Sequence, residues 1–347
     1  MDYRQAAREW SHQTFRPIYI LHGTENYIMG EWIALLTKSA VEPGTEDFAL
    51  SKYDLTETPI ETVLEDAETI PFLSQRKLVV ANGAYFLTGS KGPGKSTVEH
   101  NVEALQEYVS HPAEHAVVVL TVPAEKLDER KKIVKQLKSS ALVLPFAPLG
   151  LAELEQWIRK KAAGFQVSME DDAVETLLAR TGGSCETLAA ELEKMSLYVG
   201  SGGTIQRSTV EQLAVRTTEQ NVFQLVEEIV QLRPEKAMSI FHDLLREKEE
   251  PIKLLFLIAR QFRIILGTKE LSKQGFSQAQ IASKLGAHPY AIKLAGEQAK
   301  RFKPETLERI VKELADLDYA MKTGAIDKTL GLELFILRIG AAAAVAK

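Results

Sequence analysis

Between residues 17 and 150, short β-branched runs at 18–21, 48–53, 77–81, 116–122 and 141–146 alternate with stretches of helical spacing. Continuous apolar runs separated by helical patterns predict a parallel sheet whose strands are buried on both faces. After Pro148 the pattern changes, since Leu151, Leu154, Trp157 and Ile158 recur at helical spacing and no strand run follows. Ser168 with Asp171 and Ser208 with Glu211 read as capping boxes that start helices. Gly200-Ser201-Gly202-Gly203 reads as a turn near a second boundary. From Asn221 onward Val222, Leu225, Val226, Ile229 and Val230 form a stripe at period 3.6, followed by an apolar stretch at 254–265 and a long helical tail. The prediction is α/β plus all-α: a sheet domain over 1–147, a small helical domain over 148–211 and a larger helical domain over 212–347.

Composition narrows the chemistry. A chain of 347 residues is too long for one ordinary core, which agrees with that division. The single cysteine, Cys185, excludes an intramolecular disulfide and a cysteine-rich zinc site, and the seven histidines show no ligand spacing, so no metal is expected. A reducing, cytoplasmic setting fits. Residues 1–12 are polar and the 116–122 run is far too short to span a bilayer, so no membrane role is expected. A net charge of −5 argues against coating DNA with the whole surface, so any DNA contact must be local.

Gly89-Ser90-Lys91-Gly92-Pro93-Gly94-Lys95-Ser96 satisfies the phosphate-loop pattern G-x-x-x-x-G-K-S, and a helix is expected from about Thr97. In a working loop, backbone amides wrap the phosphates, Lys95 neutralises them and Ser96 holds magnesium at the helix start. The context disagrees. Residues 82–88 separate Gly89 from the preceding strand, and neither the 77–81 nor the 116–122 run leads into an acid that could hold the metal. After the first strand, where a sheet of this kind carries its phosphate loop, the chain reads His22-Gly23-Thr24-Glu25-Asn26-Tyr27, with one glycine and no lysine. Glu25 falls near the helix N-terminus and competes there with a phosphate. Gly89–Ser96 therefore reads as a surface loop and no cofactor is expected, with a phosphate-loop NTPase using Gly89–Ser96 as the alternative function.

Ile70-Pro71-Phe72-Leu73 is a different kind of signal. Leu64, Ala67 and Ile70 share a helix face that Pro71 ends, so Phe72 and Leu73 are presented after a breaker and before Arg76-Lys77. Taken alone, the residues fit two readings: inward packing beside a strand, or an aromatic-plus-aliphatic anchor for a partner's pocket. Burying both side chains in such a pocket is worth about 3–6 kcal/mol before binding costs.

Several segments, in this order and spacing, resemble the delta-subunit family of bacterial DNA polymerase III. They are Ile18-Tyr19-Ile20-Leu21-His22-Gly23 with Glu25, residues 71–80 with Arg76, Gly182-Gly183 through Glu191-Leu192-Glu193-Lys194, Asn221-Val222-Phe223, His288-Pro289-Tyr290, and Lys322-Thr323-Gly324 with Glu333. The resemblance covers nearly the whole chain. It implies an AAA+-like parallel-sheet domain with degenerate nucleotide motifs, a helical lid and a C-terminal helical collar. It implies a noncatalytic subunit of a holoenzyme with DNA-directed DNA polymerase (nucleotidyltransferase) activity. The collar would assemble a heteropentamer with the ATP-binding tau/gamma subunits and delta-prime, acting on primed DNA. An apolar pair on the first domain would insert into a hydrophobic pocket of the ring-shaped sliding clamp, beta, and weaken one ring interface. Counted from Gln75-Arg76 that pair is Phe72 and Leu73, with Ile70 and Pro71 as the mount.

Two further patterns compete for attention. Residues 276–296 read as a helix-turn-helix, with Gln278, Ile281, Ala282 and Leu285 before Gly286-Ala287-His288-Pro289, which fits either a DNA reader or an ordinary helical pair. Arg130, Lys131, Lys132, Lys135 and Lys138 fit either phosphate contacts or a solvated helix face. Leu188, Leu192 and Met195 are expected in a core, and Cys185 as a buried small residue without a histidine partner.

Overall fold

The computed structural model describes residues 5–6, 9–10, 14–72, 74–89, 92 and 98–344. The chain divides into two compact units, Met1–Pro148 and Leu149–Lys347.

The first unit is built on five parallel strands, β1 (Ile18–Gly23), β2 (Leu50–Asp54), β3 (Lys77–Asn82), β4 (Ala116–Val122) and β5 (Leu142–Phe146), in the order β2-β3-β4-β1-β5. Every residue of β4 is buried, as an unbroken apolar run with helices on both faces demands. The connecting helices are α1 (Asn26–Ala40), α2 (Glu46–Ala49), α3 (Ile60–Glu68), α4 (Val102–Ser110) and α5 (Lys132–Ser140). Val63, Leu64, Leu105, Ile133 and Leu137 join Ile18, Ile20, Val79 and Val118 in one core. Around Trp32 of α1 the packing is aromatic: its ring meets Tyr19, Phe146 and Trp10 edge-on, at centroid distances of 5.3, 6.2 and 4.7 Å.

Two sequence expectations change here. The 48–53 run is not one strand. Glu46–Ala49 form a single helical turn in which the amides of Phe48 and Ala49 donate to the Thr45 carbonyl at 3.0 and 2.9 Å, and β2 begins only at Leu50. An aromatic next to a strand looks the same by composition whether it extends the strand or ends a helical turn. The helix expected from about Thr97 begins at Val102, where Asn101 Oδ1 accepts the amides of Glu103 and Ala104 at 3.1 Å each. Residues 98–100 are not helical.

The second unit carries α6 (Leu151–Gly164), α7 (Asp171–Thr181), α8 (Cys185–Val199), α9 (Arg207–Leu213), α10 (Thr218–Val230), α11 (Pro234–Arg246), α12 (Pro251–Lys273), α13 (Gln278–Leu285), α14 (Pro289–Ala299), α15 (Pro304–Lys322) and α16 (Lys328–Ala344). It is not purely helical, because β6 (Ser168–Met169) pairs in parallel with β7 (Thr204–Ile205). Strands of two residues are too short to show any periodicity. Neither expected capping box forms. Ser168 lies in β6 with its hydroxyl 2.8 Å from that of Thr204, and α9 starts at Arg207, ahead of Ser208. A serine caps a helix only where its own backbone is outside it. Ser184, Thr217 and Ser277 meet that condition and accept the amides of Thr187, Gln220 and Gln280.

The stripe Val222, Leu225, Val226, Ile229 and Val230 is buried, in one core with Phe241, Phe262, Leu307 and Ile336. Ile281, Ala282, Ile292 and Ala295 belong to the same core. Within α14 the exposed side chains are Lys293 and Glu297, and Glu297 pairs with Lys300 at 2.7 Å. The second helix of the helix-turn-helix pattern is thus committed to packing and offers little with which to read bases. Cys185, Leu188, Leu192 and Met195 are buried, as expected.

Candidate functional site

The helix α3 buries Ile60, Val63, Leu64 and Ala67, and its last turn closes when the Thr69 amide donates to the Asp66 carbonyl. Pro71 keeps Ile70 out of the helical region, and the chain leaves the helix extended. Pro71 is buried, whereas Ile70 is 79 % exposed and Phe72 69 %. Of the two residues expected as the mount, Pro71 is thus buried and Ile70 is exposed like Phe72. Leu73 lies outside the described residues. Beyond it, the Ser74 hydroxyl donates to the Arg76 carbonyl at 2.9 Å and the Arg76 guanidinium sits 4.5 Å over the Phe15 ring.

The base of this tip is closed by an ion pair. Lys77, the first residue of β3 and 5 % exposed, donates from Nζ to Asp66 Oδ1 at 2.6 Å. Burial opposes ionisation of Asp66, but hydrogen bonds from Lys77, Ser51 and Tyr53, together with the Lys77 charge, outweigh it and hold the carboxyl below its ordinary value. The pair's contribution is complete above the ordinary carboxylate range, and it is lost as the pH falls through the lowered value. Lys77→Met, which strands a partly buried carboxylate, is expected to lower stability by roughly 2–4 kcal/mol. A shift of the urea midpoint worth less than about 0.5 kcal/mol, the range of ordinary surface changes, would remove the pair from this account.

One residue of this edge escaped the sequence reading. Phe48 of α2 is 55 % exposed, with its ring 6.3 Å from that of Phe72 at an interplanar angle of 73°. Its place in an apparent strand run hid it. The available signal was Thr45 followed by Glu46-Asp47, the acidic first turn of a helix.

At the opposite edge of the sheet, the C-terminal ends of β2, β3 and β4 border a cleft of ≈ 390 Å³ that includes Asn26, Asp54, Thr56, Asn82 and Thr121. Thr56 donates its amide and hydroxyl to Asp54 Oδ1 at 2.8 and 2.6 Å, which holds that carboxyl below its ordinary value and anionic at neutral pH. The Thr121 hydroxyl donates to Asn82 Oδ1 at 3.1 Å, and the Gly83 amide donates to the Thr121 carbonyl, also at 3.1 Å. No lysine, arginine or histidine lines the cleft among the described residues. Asp54 is thus the one charged side chain of the cleft among the described residues.

In the turn after β1 one backbone amide is already engaged. The Glu25 amide donates to the Phe146 carbonyl at 3.0 Å, and a Cβ on Gly23, at φ +145°, would lie 1.9 Å from that same oxygen. Glu25 is buried at the N-cap of α1, where sequence placed it. Of the lookalike loop, Gly89 and Gly92 are described, whereas Ser90, Lys91, Pro93, Gly94, Lys95 and Ser96 lie outside the described residues. The loop follows a 3-10 turn at Tyr85–Leu87 instead of a strand, and the next helix opens well beyond it.

The five basic residues do not form one free patch. Arg130 makes a two-pronged pair with Asp128 at 2.8 and 2.9 Å, which draws the Asp128 carboxyl down to about 2. Lys138 pairs with Glu129, and Lys131 Nζ donates to the Phe86 carbonyl at 2.6 Å. Lys132 and Lys135 remain exposed on α5.

Other segments singled out in the sequence turn out to be structural. A Cβ on Gly183 would lie 2.1 Å from His288 Nδ1, which itself accepts the Tyr290 amide at 3.1 Å. Gly324 takes φ +75° after α15, and Glu333 meets His242 at 2.9 Å. Among the described residues, no cluster of three or more His, Cys, Asp or Glu could hold a metal, and no helix is long and apolar enough to cross a membrane.

Comparison with known proteins agrees with this anatomy. Residues 19–147 match the family described as DNA polymerase III, delta subunit, and residues 219–339 match the C-terminal domain of the DNA polymerase III delta subunit. The chain is 42 % identical over 323 residues to DNA polymerase III subunit delta of Bacillus subtilis (strain 168), covering 93 % of this chain and 92 % of that one. It is 21 % identical over 303 residues to the probable DNA polymerase III subunit delta of Aquifex aeolicus (strain VF5), covering 87 % and 85 %. The solved structure of the Bacillus subtilis DNA clamp loader delta protein is similar at a TM-score of 0.76 and 40 % identity, over 98 % of this chain and 99 % of that one.

Proposed function

The chain belongs to the DNA polymerase III delta-subunit family, and we propose that it binds the sliding clamp, beta, through the tip Ile70-Pro71-Phe72-Leu73 and opens the ring for loading onto primed DNA. The observation that carries this reading is the exposure of Ile70 and Phe72 on a turn whose base is fixed by Asp66 and Lys77. Large apolar side chains held out on a braced turn have no use to an isolated fold, and fit a pocket on a partner.

Opening follows from differential binding. A pocket that accepts the tip more deeply when the neighbouring ring interface is parted shifts the ring toward the parted state by that difference in affinity. No bond is made or broken, so the chain needs no catalytic residue of its own. Hydrolysis belongs to the ATP-binding tau/gamma subunits and nucleotide transfer to the polymerase. The collar, 212–347, assembles with those subunits and delta-prime in a cytoplasmic heteropentamer, and 148–211 forms the lid. Lys132 and Lys135 are the side chains of the basic run best placed to meet DNA phosphates.

The test is retention of the isolated full-length chain on immobilised clamp without nucleotide, paired with calorimetric titration of ATP. Clamp retention and no ATP heat are expected. Micromolar ATP binding that Lys95→Ala removes would establish a phosphate-loop NTPase instead, and failure to bind clamp under any condition would overturn the proposal.

A further inference from the structure

We propose that Phe48 is part of the clamp-binding surface, propping the ring of Phe72 and widening the apolar face offered to the clamp from one chain segment to two. The proposal rests on the clamp-binding reading of the tip. Four large apolar side chains are exposed among the described residues of the first unit, Leu35, Phe48, Ile70 and Phe72. Three of them lie just ahead of β2 and β3. Single exposed apolar residues are ordinary, whereas a cluster on neighbouring segments marks an interaction surface.

The two rings come from separate elements, but the sheet fixes their spacing. Phe48 sits in α2 two residues before Leu50, and the tip precedes β3, whose Leu78 pairs with Leu50. Parallel strands begin at the same edge, so the helical turn and the tip emerge side by side. At 6.3 Å and 73° the Phe48 and Phe72 rings meet edge to face, the favoured arrangement for an aromatic pair. Phe48 thereby restricts the rotamers open to a Phe72 that is otherwise mostly in solvent, and an anchor restrained before binding has less freedom left to lose on binding. The partner chemistry this fits is an apolar pocket broad enough for two rings and the Ile70 side chain.

A double-mutant cycle on the full chain, with Phe48→Ala, Phe72→Ala and both, tests the proposal by clamp Kd together with thermal unfolding. Phe48→Ala is expected to weaken binding on the order of tenfold without lowering the melting temperature, and to have much less effect once Phe72 is already alanine. Phe48→Leu keeps apolar bulk ahead of β2 but removes the ring, so a loss of about threefold is expected from it. Wild-type affinity in both Phe48 variants, with Phe72→Ala weakened, overturns this proposal and leaves the tip standing. Equal losses from Phe48→Ala in both backgrounds overturn the propping role. Unchanged affinity in every variant, Phe72→Ala included, overturns the tip itself.

Discussion

Replacing Phe72 and Leu73 together with alanine is expected to reduce affinity for the clamp by two orders of magnitude or more while the chain stays folded. The size follows from the apolar area the two side chains would place in a pocket, about 3–6 kcal/mol of burial before the costs of association, concentrated as anchors usually are in a few central residues. The selectivity follows from exposure. Phe72 is 69 % accessible and packs into no core, so its truncation leaves no internal cavity and stability is expected to change by less than about 0.5 kcal/mol. Surface plasmon resonance on immobilised clamp, with urea unfolding as the control, reads both quantities. Unchanged affinity would remove the tip from the mechanism, and a large stability loss would return it to the core.

The largest stability effect is expected at Gly23. A methyl group there would lie 1.9 Å from the Phe146 carbonyl oxygen, a backbone atom with no rotamer by which to retreat, and the residue holds φ +145°. Gly23→Ala must therefore displace the end of β1 from β5, where Gly23 pairs with Phe146. A loss of more than ~4 kcal/mol is expected, at the extreme of single substitutions. Urea unfolding measures it, and a near-wild-type midpoint would contradict the pinned turn.

Much of the fold was legible because its elements are long and buried. β4 announced itself through seven apolar or β-branched residues, all of them buried, and the stripe from Val222 to Val230 gave α10 by period alone. Short elements were not legible. Phe48 was assigned to a strand because one helical turn leaves no periodic trace, and β6 and β7 are shorter than any repeat. Ser168 and Ser208 matched a cap in letters only, since a cap depends on backbone angles as well as on residue type.

The site divides in the same way. Sequence singled out the four residues 70–73 as a candidate but could not separate core from surface, and it gave no sign that Ile70 is 79 % exposed. Within the basic run, Asp128 and Glu129 are close enough in sequence to suggest their pairing with Arg130 and Lys138. The bond from Lys131 to the Phe86 carbonyl spans 45 positions and depends on the fold. The phosphate-loop string shows the converse, because its letters fit while the strand before it and the helix start after it do not.

Lys77 both closes the tip and begins β3, where it pairs with Ala116 at the start of β4. A pull on Phe72 is therefore delivered along the axis of a strand hydrogen-bonded on both sides, to β2 and β4. Evenly spaced parallel bonds loaded lengthwise share the force and yield only together, whereas a loop hung from a fraying helix end gives way one bond at a time. The tip is coupled to the sheet as a tooth is to a gear, so that a load applied at Phe72 passes into the paired strands.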